Sequence, residues 1–192
     1  MHGVYGAGKT TLLIVLILFI CRILDEAGDS SIRILVASVT NVAVDNILDG
    51  LITENYKNLV RVGSQKKISK SVLPYVVTTE NSSAKDQIKT LKDMLKEENE
   101  PEEEAAIKQA IKDITSGVHE NRKQSIKDAR VVGVTCAATG FEVLKNQKFS
   151  ILILDESSQC LEPLALLPLT RFGCMKFIAG KFNISHTCYI SI

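Results

Sequence analysis

The sequence predicts an α/β domain in which a parallel sheet is covered by helices on both faces. Three observations carry that prediction. Short, wholly apolar runs of strand length recur along the chain, as in strands buried on both sides. They alternate with stretches whose apolar residues step at helical spacing, and such alternation builds parallel sheets through crossovers. A glycine-rich loop opens the chain and two carboxylates follow a later apolar run, where open α/β sheets bind ligands.

Composition narrows the function. The chain has 192 residues, 45% hydrophobic and 23% charged, with net charge +1. Those values suit one globular domain, with room for an insertion, and exclude a disordered or collagen-like chain. The near-zero charge argues against a protein that coats nucleic acid uniformly. Five cysteines, Cys21, Cys136, Cys160, Cys174 and Cys188, form no C-x-x-C pair. They are expected to be reduced and mostly buried in an intracellular protein, with no zinc site.

The elements follow in order. Residues 3–11 form the glycine-rich loop, and an apolar helix runs from there to about Leu24. Its core, LLIVLILFIC, has ten apolar residues and would span ~15 Å, about half a bilayer core. Asp25 and Glu26 occupy positions where a signal peptide needs small residues. The segment is therefore read as a helix apolar all round and buried, with no membrane partner. Residues 32–38 form a strand. Thr40 or Asn41 caps a helix carrying Val44, Ile47, Leu48, Leu51 and Ile52. Residues 59–63 form a second strand, and residues 72–78, containing Pro74, an extended edge segment.

Residues 85–128 hold nine basic and eleven acidic side chains, too many for a buried face. Ile88, Leu91 and Leu95 make one helical stripe, and Ile107, Ile111, Ile114 and Val118 a second. This predicts a charged helical hairpin inserted over about 80–128. Residues 131–135, 149–154 and 175–179 complete the expected strands.

Gly3-Val4-Tyr5-Gly6-Ala7-Gly8-Lys9-Thr10 fits the phosphate-loop pattern G-x-x-x-x-G-K-[ST]. Glycines let successive backbone amides curl around phosphate oxygens, and the helix that follows aims its positive end there. Gly3, Gly6, Ala7, Gly8, Lys9, Thr10 and Thr11 are the candidate ATP-binding residues. Lys9 supplies charge for the β- and γ-phosphates, and the Thr10 hydroxyl suits a Mg²⁺ shell. Downstream, Ile151-Leu152-Ile153-Leu154 ends in Asp155-Glu156. Asp155 can hold Mg²⁺ through water, and Glu156 can deprotonate an attacking water. Together these motifs predict Mg²⁺-dependent hydrolysis of a nucleoside triphosphate.

Further blocks narrow the class. Asp155-Glu156-Ser157-Ser158-Gln159 is D-E-x-x-Q, and the chain resembles superfamily 1 helicases of the Upf-like, senataxin-containing group. The segment from Ala37 to Asp45, Ala-Ser-Val-Thr-Asn-Val-Ala-Val-Asp, is similar to their motif Ia. Val132-Gly133-Val134-Thr135-Cys136-Ala137 resembles the segment nearer motif II, and Arg61-Val62-Gly63 their Arg-x-Gly. The wording is most similar to helicases bearing a GRF-type zinc finger. The resemblance implies a RecA-like P-loop NTPase fold for the first motor domain over residues 1–180. It assigns ATP hydrolysis to Lys9, Thr10, Asp155 and Glu156, and γ-phosphate sensing to Gln159. Ser38, Thr40, Asn41, Thr135 and Cys136 would contact single-stranded or branched nucleic acid, DNA favoured. Lys57, Arg61, Lys66, Lys67 and Lys70 could line a groove for the strand. Nuclear location and a role in DNA repair or replication are implied the same way.

Two features set expectations about completeness. Only Met1 and His2 precede Gly3, so the strand that normally carries the loop is expected to be missing. After residue 180 the expected Gly-Asp-x-x-Gln is replaced by Lys181-Phe182-Asn183-Ile184, and residues 181–192 read as a divergent tail. The resemblance implies that a second motor domain, with its charge-stabilising arginines, is needed for unwinding. The chain is thus expected to be a truncated helicase with little activity alone. The alternatives are an inactive isoform that binds nucleic acid or protein, and a small kinase or GTPase. The last would need an acceptor-binding lid or a guanine-recognition Asn-Lys-x-Asp, and the sequence lacks that tetrapeptide.

Overall fold

The chain runs β1 (His2–Gly3), α1 (Lys9–Glu26), β2 (Ile34–Ser38), α2 (Asn41–Thr53), β3 (Leu59–Gly63), β4 (Val76–Thr78), α3 (Pro101–Asp128), β5 (Val131–Thr135), β6 (Ile151–Asp155), α4 (Glu162–Phe172), β7 (Lys176–Ala179) and β8 (Lys181–Phe182). The computed structural model describes residues 2–3, 8–64, 67–78, 88–93, 101–156, 162–174, 176–179 and 181–182. Six strands make the main sheet in the order β4-β3-β5-β2-β6-β7. Every neighbouring pair in it is parallel, so all carboxyl ends lie at one edge.

Side-chain alternation divides the core. Leu35, Ala37, Val132, Val134, Leu152 and Leu154 face one layer, which holds Ile126 of α3 and Phe172 of α4. Ile34, Val36, Val131 and Ile153 face the other, which holds Leu13 and Ile17 of α1 with Val44, Ile47 and Leu48 of α2. By the same period of two, Ser38, Thr135 and Asp155 belong to the α1/α2 face. At Gly133, also on that face, an added Cβ would lie 2.6 Å from Leu48 Cδ1 and 3.0 Å from Val44 Cγ1. The missing side chain lets α2 lie close over the centre of the sheet.

Several expectations hold in detail. Strands β3 and β5 have the expected bounds. Thr40 caps α2, its hydroxyl accepting from the Ala43 amide at 3.2 Å. Cys21 and Cys136 are buried thiols outside any disulfide, and Cys174 is a half-buried one. Ile107, Ile111 and Ile114 lie half-buried along the 28-residue α3. Of the first hairpin arm, residues 88–93 are described and contain helix, while Leu95 lies outside the described residues.

Other expectations need correction. Helix α1 is not buried all round: Leu13, Ile17, Cys21 and Leu24 are buried, but Leu12, Val15, Phe19 and Ile23 are exposed. The sheet and α2 cover one side of a helical cylinder, and an apolar sequence on the far side does not supply a neighbour. No helix among the described residues is long and apolar enough to cross a membrane. Residues 73–75 form a 3-10 turn and only Val76–Thr78 pairs, at the sheet edge. Proline in that turn supplies no amide for a ladder. Finally, His2–Gly3 does form a two-residue strand, paired in parallel with Lys181–Phe182. The missing-strand expectation is corrected to that extent.

The opposite edge of the sheet is tied by arginines. Arg33 Nε donates to the Ala129 carbonyl at 3.1 Å and Nη1 to Gln147 Oε1 at 2.9 Å. Arg130 Nη1 donates to the Asp29 carbonyl at 2.7 Å. These bonds anchor the loops at the amino ends of the strands and leave the carboxyl edge to the functional groups.

Candidate nucleotide and nucleic-acid site

Three adjacent strands end together. Ser38 of β2 is in register with Thr135 of β5 on one side and Asp155 of β6 on the other. Helix α1 begins above this edge at Lys9, on the face that carries these three residues. Gly8 precedes it as N-cap with φ 71 and ψ 21. Glycine adopts that left-handed turn without strain, so the chain can swing from the loop into the helix. The first-turn amides of α1 have no helical acceptors and form an electropositive end.

Asp155 is 6% exposed. Burial pushes its carboxyl above the ordinary aspartate value. The Glu156 amide, which donates to Asp155 Oδ1 at 2.9 Å, pulls the other way; the Glu156 charge raises it, and the Lys9 cation lowers it. The Lys9 charge is thus felt at Asp155. Thr10 is half-buried in the first turn of α1, and Thr11 is exposed. Residues 4–7, with Gly6 and Ala7, lie outside the described residues, as does Gln159.

Glu156 is held in an unusual conformation. Its φ is 54, a left-handed value that costs a non-glycine residue of order 1–3 kcal/mol. Thr40 Oγ1 donates to Glu156 Oε2 at 3.1 Å. The backbone turn and this bond together direct the carboxylate over the sheet edge toward the start of α2.

The expected nucleic-acid residues divide into two groups. Thr40 and Thr135 lie at the edge with partial or full exposure. Ser38 and Cys136 are both 0% exposed, and the Cys136 amide donates to the Ser38 carbonyl at 2.8 Å. The sheet encloses these two side chains, so what their segments present at the edge is backbone. Asn41 is half-buried, and its Oδ1 accepts from Arg61 Nη2 at 2.8 Å.

Arg61 itself is the larger correction. It is 0% exposed, so it lines no groove. Its Nε meets Asp45 Oδ1 at 2.8 Å and its Nη1 donates to the Val62 carbonyl at 2.7 Å. Asp45 Oδ2 accepts from the Ser69 amide at 2.8 Å. Desolvation lowers the Arg61 pKa, and the Asp45 hydrogen bond and charge oppose that shift. Asn41 and Asp45 stand one helical turn apart on α2, where i and i+4 residues share a face. Arg61 thus fixes the start of α2 to β3, and Asp45 ties the same helix to the turn at Ser69. The sequence signal was an arginine inside an otherwise apolar strand, together with this Asn/Asp spacing.

A phosphate-loop sequence entering a helix at Lys9, an acidic pair at the end of β6 and a parallel sheet define a P-loop nucleotide-binding α/β domain. More particularly, the chain belongs to the AAA domain family, which matches residues 1–179. It is 41% identical over 184 residues to mouse 5'-3' DNA helicase ZGRF1, covering 93% of this chain and 10% of that protein. It is 27% identical over 182 residues to the Schizosaccharomyces pombe DNA polymerase alpha-associated DNA helicase A, covering 88% and 26%. It is 24% identical over 179 residues to the Neurospora crassa regulator of nonsense transcripts 1 homolog, covering 93% and 16%. The Upf-like helicase resemblance read from the motifs is met by these relatives. The chain spans between a tenth and about a quarter of their lengths.

Proposed function

We propose that this chain is the ATP-binding part of a DNA helicase motor acting in DNA repair or replication in the nucleus. The observation that carries the reading is the order of elements: Gly8 turns the chain into α1 at Lys9, and β6 ends in the buried Asp155 at the carboxyl edge of the parallel sheet. Nucleotide phosphates would lie against the amides of the loop and the first turn of α1, with Lys9 beside them. The Thr10 hydroxyl and the Asp155 carboxylate are hard oxygen donors suited to Mg²⁺. The buried Asp155 carboxyl also fits, because a cation would relieve the cost of its charge. When bound, the ion neutralises phosphate charge and orients the terminal phosphoryl group. Glu156, directed by its backbone turn and by Thr40, would accept the proton of the attacking water. Gln159 would sense the γ-phosphate, and a second motor domain would complete the cycle.

Thr40, Asn41 and Thr135 would meet single-stranded or branched DNA at the same edge, through hydroxyls and backbone groups suited to phosphate. The helicase relatives support DNA as the partner. The test is equilibrium binding of Mg²⁺ with a non-hydrolysable ATP analogue to the 192-residue chain. The expected result is saturable binding that Lys9→Ala weakens by tenfold or more and that single-stranded DNA alters. Binding indifferent to both Lys9 and Mg²⁺ overturns the reading.

A further inference from the structure

Ser38 holds a hydroxyl that the fold leaves unused. The residue is 0% exposed, and its Oγ is buried without a hydrogen-bond partner. A hydroxyl can donate once and accept twice, so an orphan in a sheet interior is destabilising. Alanine would fill the same strand position without that cost. Its neighbours give the orphan a direction: Ser38 sits between Thr135 and Asp155 in the register. All three side chains project to the α1/α2 face, where α1 begins. On the other side of Ser38, Asp155 Oδ1 is already engaged by the Glu156 amide.

We propose that Ser38 is a positioning residue of the nucleotide–metal site, its Oγ accepting a hydrogen bond from a water on the Mg²⁺ ion. The inference rests on the reading of Asp155 as the residue through which that ion is held. Asp155 supplies the charge, and Ser38 fixes the orientation of the intervening water. Groups outside the first coordination shell orient metal-bound ligands in this way. The role explains why a polar side chain occupies a closed position between two apolar-flanked strands.

The experiment compares the full chain with Ser38→Ala and with the near-isosteric Ser38→Cys, whose thiol is a weak acceptor. The probe is Mg²⁺ titrated at fixed non-hydrolysable ATP analogue, with nucleotide binding in EDTA as control and thermal unfolding of the ligand-free chain alongside. Ser38→Ala is expected to match or exceed the parent's unfolding temperature without ligand. It is expected to need about tenfold more Mg²⁺ for half-saturation, with metal-free nucleotide binding unchanged and Ser38→Cys following it. A parental Mg²⁺ requirement in both variants overturns the assignment. So does an equal loss in EDTA, which would mark a structural role, or a selective loss of DNA binding. If the parent chain binds nucleotide without regard to Mg²⁺, the reading of the Asp155 site fails first. If the parent is Mg²⁺-dependent and the variants are not altered, only the Ser38 inference fails.

Discussion

The Thr40 hydroxyl serves two elements: it accepts from the Ala43 amide at 3.2 Å and donates to Glu156 Oε2 at 3.1 Å. One oxygen therefore caps α2 and holds the carboxylate proposed as general base. Thr40→Val keeps the shape and removes both bonds. Loss of the cap should lower stability by about 0.5–2 kcal/mol, measured by urea unfolding. ATP turnover, read in single-turnover assays, should fall by roughly tenfold or more, a share of what a positioned base contributes. Nucleotide affinity should stay near the parent's, and Thr40→Ser should restore both quantities.

Asp155 sets stability against function. Its carboxyl is buried and its pKa is raised above 3.8. A raised value means the folded chain prefers the protonated form, so the stability associated with that form is present below 3.8 and lost as pH rises through the folded value. Asp155→Asn removes the need to bury that charge. The variant should unfold at a higher temperature than the parent at neutral pH without ligand. The gap should close in acid, and Mg²⁺-dependent nucleotide binding should be lost. A variant less stable than the parent at neutral pH would contradict this account.

Asp45 and Arg61 form a buried ion pair at 2.8 Å. Removing one partner leaves the other charged and enclosed, at a typical cost of about 3–5 kcal/mol. Asp45→Leu should therefore be severely destabilising in denaturant unfolding. The double replacement Asp45→Leu with Arg61→Met should be milder than the single aspartate change. Additive losses in that double-mutant cycle would show that the pair does not act as a unit.

Asp29 gives a second pH dependence, of opposite sign. Its Oδ1 accepts from the Ser31 amide and hydroxyl, each at 2.7 Å. Those bonds, first the hydroxyl and then the amide, hold the carboxyl below its usual 3.8. The stability it contributes is present above 3.8 and lost as pH falls through the folded value. In the parent, the Asp29 carboxyl resonance should titrate below the free-aspartate range. Ser31→Ala should move it upward, as read by NMR.

The sheet was legible because buried parallel strands are written as continuous apolar runs; β3 and β5 could be bounded to the residue. The helix start at Thr40 was legible because side-chain capping is local. What escaped depends on neighbours far away in sequence. The exposure of Val15 and Phe19 depends on which side of α1 has a partner. The burial of Arg61 depends on Asp45 and Asn41 lying against it, whereas a count of local charges places it in a basic surface stretch. Ser38 and Cys136 have polar atoms suited to phosphate, but strand order encloses them. The phosphate loop and the acids at β6 were found from spacing and residue type, and the parallel register brought their ends to the same edge.

Strand β2 lies at the middle of the sheet, yet its two neighbours arrive late: Ile34 aligns with Val131 and with Ile151. A growing polypeptide must therefore carry this oily ribbon through about a hundred further residues before either side can be zipped. The charged helix of residues 101–128 precedes that closure. Refolding should be slow and should lose material to aggregation at high concentration, with holding chaperones improving recovery.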